Sequence, residues 1–151
     1  MYTIFRYNVK TSPYENSFDL SIKPYDDHLN ICAVYSGWKE KTNLVVIEVE
    51  IPSGYKPKED SLNEMTLKSY QLNSTNVINN VISTKINLVK LVEYIYETNS
   101  VAMYFDEMPQ NQVCVDIQIE EILPVESRQP SIAKIYDYYD QTDVSILKYL
   151  Y

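Results

Sequence analysis

Apolar and polar residues alternate in short segments along most of this chain. A two-residue period of this kind is typical of a strand that buries one face and exposes the other. The alternating segments lie at residues 18–23, 29–35, 45–51, 89–94, 101–105 and 113–120, and a segment rich in strand formers follows at 131–140. Pro, Asn, Asp and Gly separate them, as in turns between strands. The pattern predicts an all-β fold, an antiparallel β-sandwich.

The segment after Pro57 departs from this two-residue period. Ser61 and Glu64 stand three positions apart, as in a capping box at the start of a helix, and apolar residues follow at helical spacing. We therefore predict one inserted α-helix over residues 60–71. Residues 77–82 lie in a stretch rich in Asn, Ser and Thr, and they are a candidate for a second, short helix.

The composition agrees with one folded domain. The chain has 151 residues, of which 45% are hydrophobic and 23% charged, so it is long enough to bury a core and too apolar for general disorder. We expect residues 1–12 to form a separate strand or arm, because Pro13 marks a break. Tyrosine is abundant, with 15 residues against one Trp and three Phe, and it suits both strands and binding surfaces.

The charge of the chain restricts its partners. Lys and Arg total 13 whereas Asp and Glu total 21, which gives a net charge of -8. Such a chain repels phosphate backbones, so we expect a basic receptor or partner protein and no nucleic acid. No apolar run approaches the roughly 20 residues of a membrane helix, and Met1–Arg6 lacks the pattern of a signal peptide.

Residues suited to catalysis or cofactor binding are scarce. With only two glycines, the chain has no phosphate-binding loop and no dinucleotide fingerprint. His28 is the single histidine, and no nucleophile elbow accompanies it. We interpret Asp26-Asp27-His28 as a turn, because adjacent residues of an extended chain point to alternate sides and rarely converge on one metal. The sequence therefore predicts no enzymatic activity, no cofactor and no metal site.

Cys32 and Cys114 are the two cysteines of the chain. They form no CxxC motif, so a zinc or redox site is not expected. Two interpretations stay open, a pair of buried thiols or one disulfide formed in an oxidising compartment. Both cysteines alternate with the apolar residues of their segments, so both face away from the inferred core. They could pair if their strands are neighbours in one sheet.

Four segments of the chain together resemble the receptor-binding domain of the α2-macroglobulin family. That domain is the C-terminal macroglobulin-type module, shared with insect thioester-containing proteins. The four segments are the Ser53-Gly54-Tyr55 turn, the strand at 89–94, Ala102-Met103-Tyr104-Phe105-Asp106 and Ile135-Tyr136-Asp137-Tyr138-Tyr139. Their order and most spacings agree from about Phe18 to Tyr151. Residues 5–8 resemble the end of the CUB-like domain that precedes this module in the family.

The resemblance implies a macroglobulin-like sandwich over residues 13–151, preceded at residues 1–12 by the remnant of a CUB-like domain. It implies a secreted, non-catalytic module that docks a cell-surface receptor, within a parent that acts in protease inhibition or innate immunity. Thioester proteins of this family have two cysteines in equivalent strands, which favours a disulfide between Cys32 and Cys114. The chain lacks the Gly-Cys-Gly-Glu-Gln thioester motif, so it forms no thioester bond by itself.

The resemblance also suggests where a receptor would bind. In vertebrate members, lysines on the helix after the Ser-Gly-aromatic turn contact an endocytic receptor, whose acidic pocket can surround an ammonium group. The candidates here are Lys56, Lys58 and Lys68. Lys58 matches the first position, whereas Leu62-Asn63 occupies the second. The alternative is that these lysines only solvate a helix face.

Two further sites have alternative interpretations. The Tyr136-Asp137-Tyr138-Tyr139 segment could contact a ligand, or it could place some tyrosines in the core while Asp137 binds turn or backbone groups. We favour the second interpretation. Asn73 begins an Asn-Ser-Thr sequon in a polar loop, so it is a candidate glycosylation site.

Two other functions compete with receptor docking. The chain could be a structural module that packs on neighbouring domains of its parent, or an unrelated immunoglobulin-like adhesion domain. A helix placed directly after the Ser53-Gly54-Tyr55 turn would separate the macroglobulin hypotheses from the adhesion domain.

Overall fold

The computed structural model describes residues 4–7, 17–38, 42–64, 89–108 and 112–151. These residues form ten strands and one helical segment, α1, at residues 59–64. The strands are β1 (Ile4–Tyr7), β2 (Phe18–Pro24), β3 (His28–Tyr35), β4 (Val45–Glu50), β5 (Tyr55–Pro57), β6 (Val89–Ile95), β7 (Ser100–Phe105), β8 (Val113–Glu121), β9 (Ser131–Asp137) and β10 (Val144–Tyr149).

The strands pair into two antiparallel sheets that face each other across one core. The larger sheet has the order β1-β10-β9-β4-β7-β6, and the smaller has the order β2-β3-β8-β5. Strand β4 lies at the centre of the larger sheet, between β7 and β9. The predicted antiparallel β-sandwich with an inserted helix is therefore confirmed.

The inner faces of the two sheets supply the core at every second position of their strands. In β4, Val45, Ile47 and Val49 are buried, and in β3 the buried residues alternate with half-buried ones. The largest fully buried side chains are Tyr149, Phe105, Ile22, Leu29, Ile31, Ile47, Met103, Met108, Ile117, Ile119, Ile135 and Leu147. Burial of these side chains is the main force that holds the sheets together, at roughly 1.5–3 kcal/mol for each fully buried large aliphatic or aromatic side chain.

The helical segment begins where the sequence predicts, but its cap is different. The prediction places Ser61 at the N-cap, as part of a capping box. In the structure Ser61 lies inside the first turn, and its hydroxyl donates to the carbonyl of Lys58 at 2.8 Å. The amides of Ser61 and Leu62 also donate to that carbonyl. The capping-box prediction is therefore wrong, because the chain turns into the helix directly after Lys58 and leaves Ser61 no N-cap position.

Other predictions concern the remainder of the inserted segment and the start of the chain. The predicted helix beyond residue 64 and the candidate helix at 77–82 lie outside the described residues. At the start of the chain, β1 pairs antiparallel with β10 and forms one edge of the larger sheet. In the part of the chain that is described, no helix is long and apolar enough to cross a membrane.

The buried hydroxyl of Tyr149 makes stability depend on alkaline pH. Burial raises the pKa of Tyr149, whose hydroxyl donates to the carbonyl of Glu50. The folded chain therefore keeps this proton above pH 10, where the unfolded chain loses it. We expect the free energy of unfolding to fall above about pH 10, by up to about 1.4 kcal/mol per pH unit for this group.

Thermal unfolding followed by circular dichroism between pH 8 and 11 measures this dependence. Tyr149→Phe should flatten the decline above pH 10. Tyr139→Phe, which removes an exposed hydroxyl, is the control and should leave the curve as in the parent chain. An equally steep decline in Tyr149→Phe and the parent would contradict the prediction.

Candidate binding surfaces

The strand directions give the sandwich two ends with different chemistry. At one end, which we call the helix end, the turn after β4, the start of α1 and the β6–β7 hairpin come together. At the opposite end, which we call the tyrosine end, the residues that follow β7 and β9 lie beside the start of β4. Of the receptor-docking lysines predicted from the sequence, Lys56 and Lys58 lie at the helix end, and the Tyr-rich signature lies at the tyrosine end.

The Ser53-Gly54-Tyr55 motif is a tight turn that requires glycine. The amide of Tyr55 donates to the carbonyl of Pro52 at 3.0 Å, and Gly54 has a φ of 85°, as the third residue of a type II turn does. A Cβ at Gly54 would lie 2.2 Å from the carbonyl oxygen of Leu123. The carbonyl of Gly54 accepts the amides of Ile122 and Leu123. The turn is thereby attached to the segment that follows β8.

The ring of Tyr55 is held by two neighbours from the second half of the chain. It meets the ring of Tyr151 edge to face, with centroids 4.8 Å apart. The guanidinium of Arg128 lies over both rings, 4.9 Å from the centroid of Tyr55 and 5.3 Å from that of Tyr151. Cation–π contacts of this kind fix the ring and the strand that carries it. The sequence offered no signal for the role of Arg128.

Asn99 links the two sheets at the helix end. Its amide nitrogen donates to the carbonyl of Tyr55 at 3.0 Å, and its amide oxygen accepts the hydroxyl of Tyr94 at 2.6 Å. Asn99 has a φ of 50°, a left-handed conformation that Asn tolerates better than most residues. Its turn also carries Tyr96, whose hydroxyl donates to the carboxylate of Glu59 at 2.7 Å. The first turn of α1 is therefore attached to the β6–β7 hairpin.

The candidate lysines of the helix end differ in their surroundings. Lys56 and Lys58 are both exposed, and because Pro57 between them is buried, they share the outward side of the chain. The ammonium of Lys56 lies 3.3 Å from the carboxylate of Glu120, directly across the β5–β8 pair. The charge of Lys58 acts on Asp27, as described below. Lys68 lies outside the described residues, as does Asn73.

Within the described ranges, carboxylates outnumber cations around Lys56 and Lys58. The exposed acidic residues of the helix end are Asp26, Asp27, Glu59, Asp60, Glu97, Glu120, Glu121 and Glu126. The surface therefore presents lysine together with an excess of negative charge, unlike a uniformly basic docking site.

The Asp26-Asp27-His28 segment forms the turn between β2 and β3. The Nδ1 atom of His28 lies 2.6 Å from the carboxylate of Asp27, and its ring stacks on that of Tyr25. The hydrogen bond with His28 is the main cause that lowers the pKa of Asp27, and the charge of Lys58 contributes less. In the described ranges, no group of three or more His, Cys, Asp or Glu residues could hold a metal ion.

Cys32 and Cys114 are joined by a disulfide. The two residues are direct partners in the β3–β8 pair, with Cα atoms 4.1 Å apart. Cys32 is half-buried and Cys114 is exposed on the outer face of the smaller sheet. The interpretation as two buried thiols is therefore wrong. The disulfide forms because both side chains project to the same outer face of neighbouring strands.

Asp137 and the tyrosines of the Tyr-rich signature have separate roles. Asp137 is buried, and its carboxylate accepts the amides of Tyr139 and Asp140 at 2.8 and 3.2 Å. This agrees with the turn role that we favoured. The tyrosines differ from the favoured interpretation, because none of the three enters the core. Tyr136 is half-buried on the outer face, and Tyr138 and Tyr139 are exposed by 48% and 74%.

An aromatic row crosses the outer face of the larger sheet beside this signature. In register, Leu91 stands opposite Tyr104, Tyr104 opposite Val46, and Val46 opposite Tyr136. Although Val46 points outward, it has no solvent exposure, because its neighbours cover it. The hydroxyl of Tyr136 donates to Glu48 at 2.9 Å. We call this row, with Tyr138 and Tyr139, the tyrosine face.

The tyrosine face ends in an open groove of about 760 Å³. Its walls include Leu91, Tyr104 and Tyr139, and its polar groups include Lys90 and Asp106. The ammonium of Lys90 lies 3.0 Å from the carboxylate of Asp106. The groove was not predicted from the sequence, because it combines residues from four separate segments whose strand order the pattern does not give.

Comparison with known proteins identifies similar chains. The model of the A-macroglobulin receptor binding domain family matches residues 40–149. The chain is 25% identical over 153 residues to thioester-containing protein 1 allele R1 of Anopheles gambiae, and 23% identical to allele S1 of the same protein. Each match covers 96% of this chain and 10% of the relative, so the chain spans about a tenth of those proteins.

Replacement of Gly54 by alanine should destabilise the fold strongly. The new Cβ would collide with the backbone oxygen of Leu123, and alanine disfavours the positive φ. We expect a loss of about 2 kcal/mol or more in the free energy of unfolding by urea. Ser53→Ala, at the exposed neighbouring position, is the control and should change stability by less than about 0.5 kcal/mol. Similar losses in both variants would refute this account of the turn.

Loss of the disulfide should also lower stability. The bond closes a loop between positions 82 residues apart, and restraint of the unfolded chain by such a loop contributes about 2–4 kcal/mol. We expect the Cys32→Ala/Cys114→Ala double variant to lose stability in this range in urea unfolding. A reductant should destabilise the parent chain and leave the double variant unaffected. Equal stability of parent and variant would show that the bond contributes nothing.

Proposed function

Because this chain belongs to the A-macroglobulin receptor binding domain family, we propose that it is a non-catalytic, extracellular protein-recognition module that docks a cell-surface receptor. Its parent would be a larger protein of the α-macroglobulin or thioester type that acts in protease inhibition or innate immunity. The family assignment also sets aside the unrelated immunoglobulin-like adhesion domain.

The observation that carries this proposal is the fixed geometry of the helix end. Gly54 sets the turn, Asn99 binds the carbonyl of Tyr55, and Tyr96 binds Glu59 at the start of α1. Three separate chain segments thus hold one exposed surface in a single arrangement. A surface held in this way loses little conformational entropy when a partner binds, which favours affinity.

Within the helix end, Lys58 is the best candidate for direct contact with a receptor. It is exposed, and its backbone is fixed by a hydrogen bond to the carbonyl of Gln118 and by the amides that its own carbonyl accepts. Lys56 would have to leave the carboxylate of Glu120 before it could bind elsewhere. Since acidic residues surround both lysines, the receptor needs cationic groups of its own. Lys68 remains a further candidate.

The disulfide supports an extracellular location. Disulfides form and persist mainly in oxidising compartments such as the secretory pathway and the extracellular space. In that setting Asn73 would be available to glycosylating enzymes, so we retain it as a proposed modification site.

The second candidate function is a structural module that packs on neighbouring domains of the parent. The short coverage of the relatives favours this candidate, because most of a longer parent would surround the chain. In that case the helix end would be buried against another domain and would bind no cell surface.

Binding of the labelled 151-residue chain to cells of its own organism distinguishes the two functions. We expect saturable binding that excess unlabelled chain displaces. Lys58→Glu should weaken it at least several-fold, because a fixed contact at the surface is lost and its charge reversed. Lys90→Glu makes the same charge change at the tyrosine end, away from the helix end, and is the matched control.

Equal weakening in both variants would assign the effect to net charge and would contradict a role for Lys58. Absence of saturable binding by the unsubstituted 151-residue chain would contradict receptor docking and favour the structural module. Thermal unfolding of each variant confirms that it is folded before binding is measured.

A further inference from the structure

The tyrosine face lies on the outer face of the larger sheet, toward the end opposite the helix end. The two surfaces share no residue. Tyr139 is 74% exposed and Leu91 is 47% exposed, and both line the groove with Tyr104. The rings of Tyr138 and Tyr139 meet edge to face, with centroids 5.4 Å apart. Exposed aromatic residues that adjoin a groove are typical of protein interfaces, where tyrosine is enriched.

Among the described side chains around the groove, negative charges outnumber positive ones. Glu48, Glu93, Asp106 and Asp140 lie on or beside the tyrosine face, against Lys90 and Lys134. Both lysines are in ion pairs, Lys90 with Asp106 and Lys134 with Glu48, the latter at 3.2 Å. The net charge of the whole chain, -8, has the same sign. The surface therefore complements a cationic ligand and opposes an anionic one.

The hydroxyls of the tyrosine face reinforce this preference. The hydroxyl of Tyr104 donates to Glu93 at 3.5 Å, and that of Tyr136 donates to Glu48. Burial, followed by these carboxylates, raises the pKa of both tyrosines. The two hydroxyls therefore remain neutral donors to the carboxylates beside the rings. Aromatic rings beside carboxylates are the groups that bind a guanidinium, by stacking and by charge-assisted hydrogen bonds.

We propose that the groove of the tyrosine face binds an arginine-bearing segment of a partner protein. The guanidinium stacks on the exposed ring of Tyr139 or Tyr104, and Glu93 accepts its hydrogen bonds. Arginine fits better than lysine because its planar group can stack on a ring and donate in the same plane. This second interaction surface does not depend on receptor docking at the helix end.

The test is a titration of the full chain with short capped peptides, followed by amide chemical shifts in ¹⁵N-labelled protein. The probe peptide contains two arginines separated by alanine, and the comparison peptides carry lysine or glutamate in their place. We expect the arginine peptide to shift amides around the groove, the lysine peptide to bind more weakly, and the glutamate peptide to bind undetectably.

Matched variants decide whether the groove is the site. Tyr139→Ala and Glu93→Gln should each weaken binding of the arginine peptide about three- to fivefold, as expected for one exposed cation–π or charge contact. Tyr96→Ala and Glu97→Gln are the controls, because Tyr96 is 69% exposed at the helix end and Glu97 is exposed beside it. The controls should bind the arginine peptide as tightly as the unsubstituted chain does. Glu93→Gln also provides a test if Tyr139→Ala is unstable.

Several outcomes would overturn the proposal. Equal binding of the arginine and glutamate peptides would exclude charge recognition. Equal weakening by the helix-end controls would place the ligand elsewhere or assign binding to net charge. Sedimentation equilibrium should show a monomer, whereas a dimer that Tyr139→Ala dissociates would identify a second copy of the chain as the occupant.

Discussion

The alternation of side chains between the two faces of a strand determines most of this structure. One face of each sheet is apolar and is buried against the other sheet, as Val45, Ile47 and Val49 show in β4. Every other residue must then project from the outer face. This constraint assigns Cys32 and Cys114 to one outer face, where they bond, and it separates buried Asp137 from outward-facing Tyr136 in β9.

The core therefore leaves the outer faces and the ends of the sandwich for binding. The helix end is held by backbone constraints, with Gly54 and Asn99 in left-handed conformations and the carbonyl of Tyr55 bound by Asn99. In the tyrosine face, Tyr104 and Tyr136 stand opposite Val46 on its two neighbouring strands and cover it from both sides. The two surfaces differ in the contacts that hold them and in chemistry, so they suit different partners.

Sequence patterns predicted the elements better than the sites. Six strands, β2, β3, β4, β6, β7 and β8, followed from the two-residue period, whereas the short β5 and the C-terminal β10 were not predicted. The resemblance correctly indicated the family and the disulfide. The cap of α1 was wrong because the Ser61–Glu64 spacing carries no information on where the chain leaves β5. Some tyrosines of the signature were expected in the core, but Tyr138 and Tyr139 follow the end of β9 at Asp137, a boundary that a run of strand formers does not mark. Arg128 and Asn99 act through contacts between distant segments, which no local pattern contains.

The central claim is that the tyrosines of the Tyr-rich signature lie at the surface, whereas Tyr149 packs in the core. Urea unfolding of Tyr138→Ala and Tyr149→Ala tests it most directly, because Tyr138 is 48% exposed and Tyr149 fully buried. The account predicts a loss below about 0.5 kcal/mol for Tyr138→Ala. It predicts a loss of roughly 3–5 kcal/mol for Tyr149→Ala, as for other large core aromatics. A loss of several kcal/mol in Tyr138→Ala, comparable to that of Tyr149→Ala, would contradict the account.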